Sequence, residues 1–300
     1  MLQRFRYLFI IAYFLLLLIH FVIKDRFPYI SVLFYASPLP LIILFGILVA
    51  IFWRKQKNLF YGILLSLIAL NIYFSIHYFG SKQEAAPEST ITNVLFWNVA
   101  KQKPLPVKIL VEHINASNPF IVALVEAREV SDDDIKVLKS SLPDYTVQIL
   151  DGEMLVLVKG AISSYVYESL SDVYKFNHLN IEIDNEQTSV MLADVYASPL
   201  LNKEIPLDYI SKAMDKYKVD VLVGDFNTPY ESVFFNNIKE KYVSFHDCSL
   251  GMTATWPVPV PLIEIDQVWI CNKFKLLKME KHTYDVSDHK LLIASYERTK

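Results

Sequence analysis

The chain has two parts that differ in how apolar and polar positions alternate. Three long apolar runs fill the first quarter and contain no Asp, Glu, Lys or Arg: Tyr7–Ile23, Ile30–Trp53 and Leu59–Phe79. A bilayer core about 30 Å thick takes about 20 helical residues, so each run is long enough to cross it. Pro38 and Pro40 predict a kink in the second run, or a span that begins late behind an interfacial segment. Residues 1–80 are therefore predicted to form three transmembrane helices.

Short apolar runs in the rest of the chain predict a domain of strands and helices. The predicted strands are rich in Val, Ile and Leu and comprise Ile91–Trp97, Phe120–Val125, Thr146–Leu150, Met154–Val158, Leu179–Ile183, Ser189–Tyr196, Val219–Val223, Ile265–Cys271 and Leu291–Tyr296. Helices are predicted over Val107–Ala116, Asp132–Leu142 and Ile210–Tyr217. Several strands are apolar throughout, so both faces are expected to be covered. Many strands with few helices favour two packed sheets with helices outside.

The segment between the two parts is small and polar. Residues 81–90 read "SKQEAAPEST" and contain Pro87, a composition typical of a linker. Residues 91–300 are long enough for one soluble domain with a complete core. The mean hydropathy of the whole chain is +0.29, a positive value that we attribute to the apolar first quarter.

The basic residues that flank the apolar runs predict how the chain is oriented in a membrane. The N-terminal flank and the loop after the second run together carry five Lys or Arg residues, whereas the opposite side carries three. The flanks with more positive charge stay in the cytoplasm. The N-terminus is therefore predicted to be cytoplasmic, and the domain after the third run to lie outside the cytoplasm.

The domain after the linker is acidic. Residues 1–89 hold eight Lys and Arg and three Asp and Glu, so the remainder holds 21 basic and 29 acidic residues, a net charge of −8. Proteins that bind nucleic acid usually present a basic face, because phosphate contacts supply much of the affinity. The charge therefore disfavours a general nuclease, although it leaves room for a local basic groove.

The two cysteines, Cys248 and Cys271, limit the covalent and metal chemistry of the chain. Two cysteines exclude a disulfide scaffold and a zinc site built from cysteines. A single disulfide outside the cytoplasm and two unpaired buried thiols both stay open, and the second is favoured.

Polar side chains stand at the ends of several predicted strands, with one carboxylate inside a strand pattern. They are Asn98, Glu126, Tyr196, Asp225, Asn227, Asp288 and His289, with Asp266 inside the strand. Each of them alone fits a turn, a cap or a surface ion pair. Asp266 fits such a role least, because a carboxylate inside an apolar strand is costly unless it is paired. Polar groups that converge at the ends of buried strands form pockets on sheet scaffolds.

These side chains together support hydrolysis of a phosphoester. That reaction needs neutralised phosphate oxygens, an activated water and a stabilised leaving group. Glu126 offers the hard oxygen ligand that Mg²⁺ prefers. Asp225 can orient or deprotonate the water, and a histidine held by a carboxylate can contact the phosphate or move a proton. Asn98, Asn227 and the Tyr196 hydroxyl can donate hydrogen bonds to phosphate oxygens.

Six motifs occur in a fixed order over residues 91–300: "FWNV", "IVALVEA", "VYASP", "GDFN", "TWP" followed by "IDQVWI", and "SDH". This set resembles the endonuclease/exonuclease/phosphatase superfamily, which has the DNase-I-like fold. "GDFN" combined with a terminal "SDH" is specific, whereas either motif alone is weak. The resemblance implies an α/β fold, a four-layered α-β-β-α sandwich, with Mg²⁺ or Mn²⁺ at its site. The apolar runs ahead of it resemble a membrane-anchored bacterial branch of the superfamily.

The resemblance also implies a role for each matched residue. The metal would be held by Glu126, Asn98 and Asp288. Catalysis would fall to Asp225, His289, Asp266, Asn227 and Tyr196, with Asp266 orienting His289, and with Asn227, Tyr196 and Asn98 contacting the phosphate. Phe120, Val125 and Tyr196 depart from the commonest residues of these motifs. None of the three departures removes the Glu126 carboxylate or the pair of Asp266 and His289, so an active enzyme is expected.

We expect a multi-pass protein of the bacterial cytoplasmic membrane that acts outside the cytoplasm. Its reaction would be metal-dependent hydrolysis of a phosphodiester, phosphomonoester or pyrophosphate linked to a lipid. The expected partners are the lipid bilayer and this substrate, and no protein partner follows from the sequence. A membrane-tethered extracytoplasmic nuclease is the first alternative. A non-catalytic membrane receptor or scaffold that retains the fold is the second.

Overall fold

A computed structural model describes residues 2–80, 91–100, 104–183 and 186–298 of the chain. The predicted linker, residues 81–90, lies outside this part, and the boundaries drawn around it stay a prediction. The described chain divides into two compact units. The first unit is Met1–Phe79 with Ser198–Asn202 and Glu231–Val233, and the second is Gly80–Ala197, Lys203–Tyr230 and Phe234–Lys300.

The first unit contains helices of almost purely apolar sequence. They are α1 (Leu2–Leu18), which continues into a π-helix (Ile19–Ile23), α2 (Pro28–Ala36), α3 (Leu39–Trp53) and α4 (Lys57–His77). Two helices, Arg6–Ile23 and Lys57–His77, are long and apolar enough to cross a membrane. Helices α2 and α3 add a third crossing if the pair, bent by 75°, forms one span. The unit therefore holds two or three candidate spans.

The bend between α2 and α3 follows from the two prolines of the second apolar run. Ser37, which precedes Pro38, leaves the helical region with φ −123° and ψ 64°, as residues before proline tend to do. Pro40 lies in the first turn of α3, where a missing N–H removes no helical hydrogen bond. The kink predicted from these prolines is present, and α4 ends at His77, two residues before the end of the third apolar run.

The strands lie in the later part of the chain and are connected by a few helices. The strands are β1 (Phe79–Gly80), β2 (Ile91–Asn98), β3 (Ile121–Val125), β4 (Thr146–Leu150), β5 (Met154–Val158), β6 (Ala161–Leu170), β7 (Tyr174–Ile183), β8 (Glu186–Val195), β9 (Val221–Asp225), β10 (Tyr242–Ser244), β11 (Gly251–Met252), β12 (Asp266–Cys271), β13 (Phe274–His282) and β14 (Leu291–Arg298). The helices are α5 (Val107–Ser117), α6 (Asp132–Ser141), α7 (Glu204–Tyr217) and α8 (Asn236–Lys239), with 3₁₀ turns at Val233–Phe235 and Phe245–Cys248.

Two six-stranded sheets form the centre of the second unit. One has the strand order β13-β14-β2-β3-β5-β4, and the other has the order β10-β12-β9-β8-β7-β6. The pairs β2–β3 and β8–β9 are parallel, whereas the other neighbours in these sheets are antiparallel. A parallel pair needs a crossover, and α5 and α7 supply the two crossovers. Because of these crossovers, the two strands of each parallel pair end at the same edge of their sheet, and candidate site residues lie at that edge.

The core confirms the four-layered sandwich. Side chains such as Phe96 of one sheet and Leu192 of the other belong to a single buried cluster between the sheets. Alternate residues on the other face of the first sheet, such as Trp97, pack with Leu110 of α5 and Leu138 of α6. Helix α7 buries residues of its own apolar face, including Ile210, and contacts β8. The order of layers is therefore helix, sheet, sheet, helix.

Both cysteines are free thiols. Cys248 is buried in the second 3₁₀ turn, and Cys271 is partly exposed at the end of β12. Burial raises the pKa of the Cys248 thiol to about 11, which disfavours the reactive thiolate. Of the two alternatives for the cysteines, the structure shows unpaired thiols.

Gly224 occupies a position with no space for a side chain. It pairs with Ala193 in the parallel pair β8–β9, and a Cβ at residue 224 would lie 2.2 Å from the Ala193 carbonyl oxygen. The Ala193 backbone cannot move away from residue 224 without disturbing the next residue pair of the two strands, Asp194 and Asp225. The glycine therefore allows the close approach of the two strands.

We expect Gly224→Ala to destabilise the chain, because the new methyl group would displace a paired backbone. Overpacking costs about 1–3 kcal/mol, and each kcal/mol lowers the thermal midpoint of a domain of this size by roughly 2–4 °C. Thermal unfolding of the full-length protein in detergent micelles measures the effect. The matched control is Gly62→Ala on α4, where an added Cβ meets nothing within 4 Å. An equal midpoint for both variants would contradict the explanation.

Candidate active site

A row of ionisable side chains crosses the second sheet at one register position. Lys175 of β7 pairs with Asp194 of β8, Asp194 pairs with Asp225 of β9, and Asp225 pairs with Asp266 of β12. Directly paired residues lie on the same face of a sheet, where like charges destabilise the pairing. Asp194, Asp225 and Asp266, here called the carboxylate row, are all buried. Such a row needs positive charge close by.

His289 supplies positive charge at the Asp266 end of the row. Its Nδ1 donates to both carboxylate oxygens of Asp266, at 2.9 and 3.1 Å, and both side chains are buried. Burial alone would lower the pKa of His289, but the carboxylates of Asp266, Asp225 and Asp288 outweigh it and raise the pKa to about 10. A pKa of about 10 favours the protonated form of His289 at neutral pH, and the Nδ1 hydrogen bonds to Asp266 hold the ring in one orientation.

Asp225 lies at the centre of the row, with no exposed surface. It accepts hydrogen bonds from the backbone N–H of Asn227 at 2.9 Å and from Asn98 Nδ2 at 2.9 Å. The His289 Nε2 atom is 3.9 Å from Asp225 Oδ2. Burial raises the pKa of Asp225 well above its ordinary value, Asp266 and Asp194 raise it further, and His289 acts in the opposite direction.

The first sheet contributes Asn98 and Glu126 to the same place. Asn98 ends β2 and Glu126 follows β3, so the carboxyl ends of this parallel pair bring the two side chains together. Asn98 Nδ2 donates to Glu126 Oε1 at 3.2 Å as well as to Asp225. One amide thus bridges a carboxylate from each sheet, and its predicted contact with phosphate stays a prediction.

Glu126 and Asn227 both adopt left-handed backbone conformations, with φ of 54° and 45°. Asparagine tolerates this region, whereas it is uncommon and strained for glutamate. Backbone strain of this kind persists where the surrounding structure holds a side chain in a particular place. Here it directs the Glu126 carboxylate to Asn98.

The "SDH" segment is held against β2 by hydrogen bonds. Ser287 Oγ donates to the Asn98 carbonyl oxygen at 2.7 Å and accepts from the His289 backbone N–H at 3.0 Å. The Trp97 indole donates to the His289 carbonyl oxygen at 3.1 Å. Asp288 accepts from the Trp256 indole at 2.8 Å, and its half-exposed carboxylate lies 3.8 Å from His289 Nε2.

Tyr196 and Asn227 lie to one side of this cluster, on the wall of a pocket of about 470 Å³ that Glu126 also lines. The Tyr196 side chain is about half exposed. Asn227 Nδ2 donates to the Val195 carbonyl oxygen at 2.9 Å and so holds the end of β8. The proposed contacts of both side chains with phosphate stay predictions.

Two residues that sequence reasoning missed complete the electrostatics of the row. Asp194 lies inside the predicted strand Ser189–Tyr196, where the cost of a carboxylate among apolar neighbours was a usable signal. Lys203 is almost fully buried, and its Nζ donates to the Tyr196 carbonyl oxygen at 2.5 Å. Burial lowers the pKa of Lys203 to about 8, although Asp225 and Asp194 favour its charged form. Lys203 follows the loop "SPLLN" in sequence, where a lysine is ordinarily exposed, so only the tertiary structure reveals its burial.

The donors at the site suit a hard divalent cation. Among the described residues, Asp225, Asp266 and His289 form the cluster whose ligand atoms all lie within 4.8 Å of one another. His289 is protonated and bound to Asp266, which leaves carboxylate oxygens as the ligands. Asp225 and Glu126 both accept from Asn98 Nδ2, whereas Asn98 Oδ1 accepts from the Ala100 backbone N–H at 2.8 Å, so carboxylate oxygens are the ligands that this arrangement offers Mg²⁺. Glu126 and Asp288 add to the three carboxylates of the row, and acidic groups then outnumber Lys175, Lys203 and His289, an excess that fits a bound cation.

Glu126→Gly separates the chemical role of this residue from its backbone strain. Glycine adopts a positive φ at no steric cost, so the variant should gain about 1 kcal/mol of stability. It should also lose divalent-cation affinity, because one carboxylate ligand is gone. Thermal unfolding and calorimetric titration of the full-length protein with Mn²⁺ measure the two effects.

Glu129→Gly is the matched control for this experiment, since Glu129 is exposed and has a φ of 53°. It should gain similar stability and keep the cation affinity of the wild type. Equal cation affinity in the two variants would show that Glu126 is not a ligand.

Solved structures show the same fold at low sequence identity. TDP2 from D. rerio, complexed with a single strand DNA product, aligns with a TM-score of 0.56 and 11% identity over 69% of this chain and 99% of that chain. An endonuclease/exonuclease/phosphatase family protein from Bacteroides thetaiotaomicron gives 0.55 and 11% over 70% and 99%. A mannosyl-6-phosphatase from the same species gives 0.51 and 10% over 68% and 99%. At these identities the likeness shows the fold alone.

A search of the curated proteins found no match to the chain. The family model described as Endonuclease/Exonuclease/phosphatase family matches residues 95–289, more than half of the chain. The match begins in β2 and ends at His289, so it includes the carboxylate row and the Asn98 and Glu126 pair. The chain therefore belongs to the endonuclease/exonuclease/phosphatase family, whose members are hydrolases that act on phosphoesters.

Proposed function

We propose that the chain is a divalent-metal-dependent phosphoesterase, tethered to a membrane, that hydrolyses a lipid-linked phosphoester outside the cytoplasm. The observation that carries this proposal is the convergence of the carboxylate row, protonated His289 and the Asn98–Glu126 pair at one place. Carboxylates for a cation, a base for water and a cation for phosphate are the groups that phosphoester hydrolysis needs.

Asp225 is the base in this proposal. Its carboxylate is fixed by Asn98 and by the Asn227 backbone N–H, and its raised pKa brings it closer to the range where a base works well near neutral pH. The water oxygen forms a bond to phosphorus, the ester P–O bond breaks, and the water proton passes to Asp225. The leaving oxygen departs with the electron pair of the broken bond and takes up a proton from solvent water, and Asp225 afterwards releases its proton to solvent.

His289 acts as a fixed cation and hydrogen-bond donor to the phosphate. A pKa of about 10 makes it too weak an acid to lose its proton readily near neutral pH, so a role as base is disfavoured. Its Nδ1 is committed to Asp266, which leaves the Nε2 proton for a phosphate oxygen. Positive charge that is already in place stabilises the charge that develops in the transition state.

Mg²⁺ or Mn²⁺ is the proposed cofactor. Glu126 is the first proposed ligand, with Asn98, Asp288 and the neighbouring Asp225 carboxylate as the other candidates. When bound, the cation would neutralise phosphate oxygens and stabilise the leaving group. It would also offset the negative charge of the row, which, after burial, is the second cause of the raised pKa of Asp225.

The apolar helices and the acidic domain support a lipid-linked substrate. The first unit provides two or three helices that could cross a membrane, and a tether keeps the site close to substrates in the bilayer. A net charge of −8 on residues 90–300 gives little general attraction for a polyanion. Both features favour delivery of the substrate by the membrane.

A nuclease is the second candidate, because a structural neighbour, TDP2, is complexed with a single strand DNA product. Another neighbour is a mannosyl-6-phosphatase, which favours a phosphomonoester instead. A receptor or scaffold without activity is disfavoured, since the proposed base Asp225, the cationic His289 and its partner Asp266 are all in place and buried.

The full-length protein in detergent micelles should hydrolyse a lipid pyrophosphate or phospholipid when Mg²⁺ or Mn²⁺ is present, and lose this activity in EDTA. His289→Ala should lower the rate by about 10²-fold or more, because removing a preorganised donor to phosphate has an effect of this size. Release of phosphate or head group measures the rate.

The matched control is His178→Ala, a buried histidine of β7 that hydrogen-bonds Ser189, and it should stay active. The thermal midpoint of each variant separates loss of function from loss of fold. Efficient cleavage of plasmid DNA that disappears in His289→Ala would overturn the lipid assignment in favour of the nuclease. Activity that is unaffected by EDTA would overturn metal dependence.

A further inference from the structure

The pocket of about 470 Å³ beside Glu126 is continuous with the carboxylate row. Its size lies within the range for small-molecule sites, about 300–1,000 Å³. This pocket, here called the side pocket, is walled by the β6–β7 hairpin and the end of β8. Its lining residues include Tyr167, Ser169, Ser171, Tyr174, Lys175 and Asp194. The described residues that line it all belong to the second unit.

The register of the sheet explains why the pocket adjoins the reaction site. Ser169 of β6 pairs with Lys175 of β7, which in turn pairs with Asp194 of β8. The same line continues through Asp225 to Asp266. A group joined to a phosphate beside Asp225 would therefore extend along this line into the pocket.

The charges of the side pocket exclude a second anion. Lys175 is its cationic lining residue among those the structure describes, whereas Glu126, Asp172 and Asp194 are acidic. Lys175 Nζ is already 3.1 Å from Asp194 Oδ2 and 3.7 Å from Glu153 Oε2. A neighbouring phosphate would meet more negative than positive charge here, and one bound cation at Glu126 would be engaged by the scissile phosphate. A nucleotide chain or a pyrophosphate therefore fits the pocket poorly.

The polar groups of the side pocket suit hydroxyls. Ser169 and Ser171 are exposed and offer hydroxyls that both donate and accept. Lys175 donates and Asp194 accepts, while the tyrosine rings provide apolar surface. A ligand with several hydroxyls can use donors and acceptors in equal measure, whereas an alkyl chain would cover the Ser169 and Ser171 hydroxyls without offering them partners.

We propose that the side pocket binds an uncharged, hydroxyl-rich group, a sugar or polyol, attached to the scissile phosphate. This inference rests on the proposed phosphoesterase function and narrows its substrate class. The sugar or polyol phosphate can be free or can form the head group of a lipid, since the pocket contacts the hydroxylated part in both cases.

A matched set of phosphomonoesters tests the inference with the full-length protein in micelles containing Mn²⁺. The set is a hexose phosphate, hexyl phosphate, which has the same carbon number without hydroxyls, and a hexose bisphosphate. We expect kcat/KM at least 10-fold higher for the hexose phosphate than for either of the others, mainly through KM. A glycolipid phosphodiester in mixed micelles, compared with the free hexose phosphate, shows which source the enzyme prefers.

Ser171→Trp tests the position of the binding group, because the indole would fill the side pocket. We expect the preference for hexose phosphate over hexyl phosphate to fall at least 10-fold. The control is Ser140→Trp, which places the same side chain at an exposed serine of α6 and should keep the wild-type preference. The ratio of two substrates cancels any general loss of active protein.

The outcomes distinguish the inference from the proposal on which it rests. Metal-dependent hydrolysis with equal kcat/KM for hexose and hexyl phosphate, or with preference for the bisphosphate, overturns the sugar or polyol pocket and leaves the phosphoesterase in place. An unchanged preference in Ser171→Trp does the same. Failure to hydrolyse any of these esters or a lipid phosphoester overturns the phosphoesterase and the pocket together.

Discussion

Three buried carboxylates at one register position are the constraint on which the site depends. Asp194, Asp225 and Asp266 are neighbours on adjacent strands, and the pairing of those strands leaves them no way to separate. Their repulsion is offset at both ends, by Lys175 and by protonated His289, with Lys203 buried close by. Glu126, joined to the row through Asn98, and Asp288, beside His289, bring the acidic groups to five against these three cationic groups. A divalent cation at this place would offset the excess.

The topology of the two sheets explains how distant parts of the chain reach this row. Each sheet contains one parallel pair, and each pair ends in a functional side chain on its carboxyl side. Asn98 links the two ends by donating to carboxylates of both. The last motif of the chain joins them through Ser287, which is bonded to the Asn98 carbonyl oxygen. The proposed sugar or polyol pocket lies beside the carboxylate row and is lined by the β6–β7 hairpin.

The apolar runs predicted the strands of the core, because strands covered on both faces read as continuous Val, Ile and Leu. Strands β6 and β13 were missed, since half-exposed sequences such as "AISSYVYESL" lack that pattern, and β1, β10 and β11 were missed as well, with only two or three residues each. "GDFN" and "SDH" predicted Asp225 and His289, whose side chains the structure brings to within 3.9 Å of each other. Lys203 was beyond the reach of sequence reasoning, because a lysine next to a loop is ordinarily exposed.

Calorimetric titration of Mn²⁺ into the full-length protein, over a series of pH values, tests the role of the carboxylate row most directly. Burial and the neighbouring carboxylates raise the pKa of Asp225 well above its ordinary value, and a cation binds the deprotonated form of a carboxylate. The affinity for Mn²⁺ should therefore rise with pH in the wild type, and binding should weaken in Asp225→Asn. An affinity that is the same at every pH, or identical titrations of the two proteins, would contradict a cation held at the row.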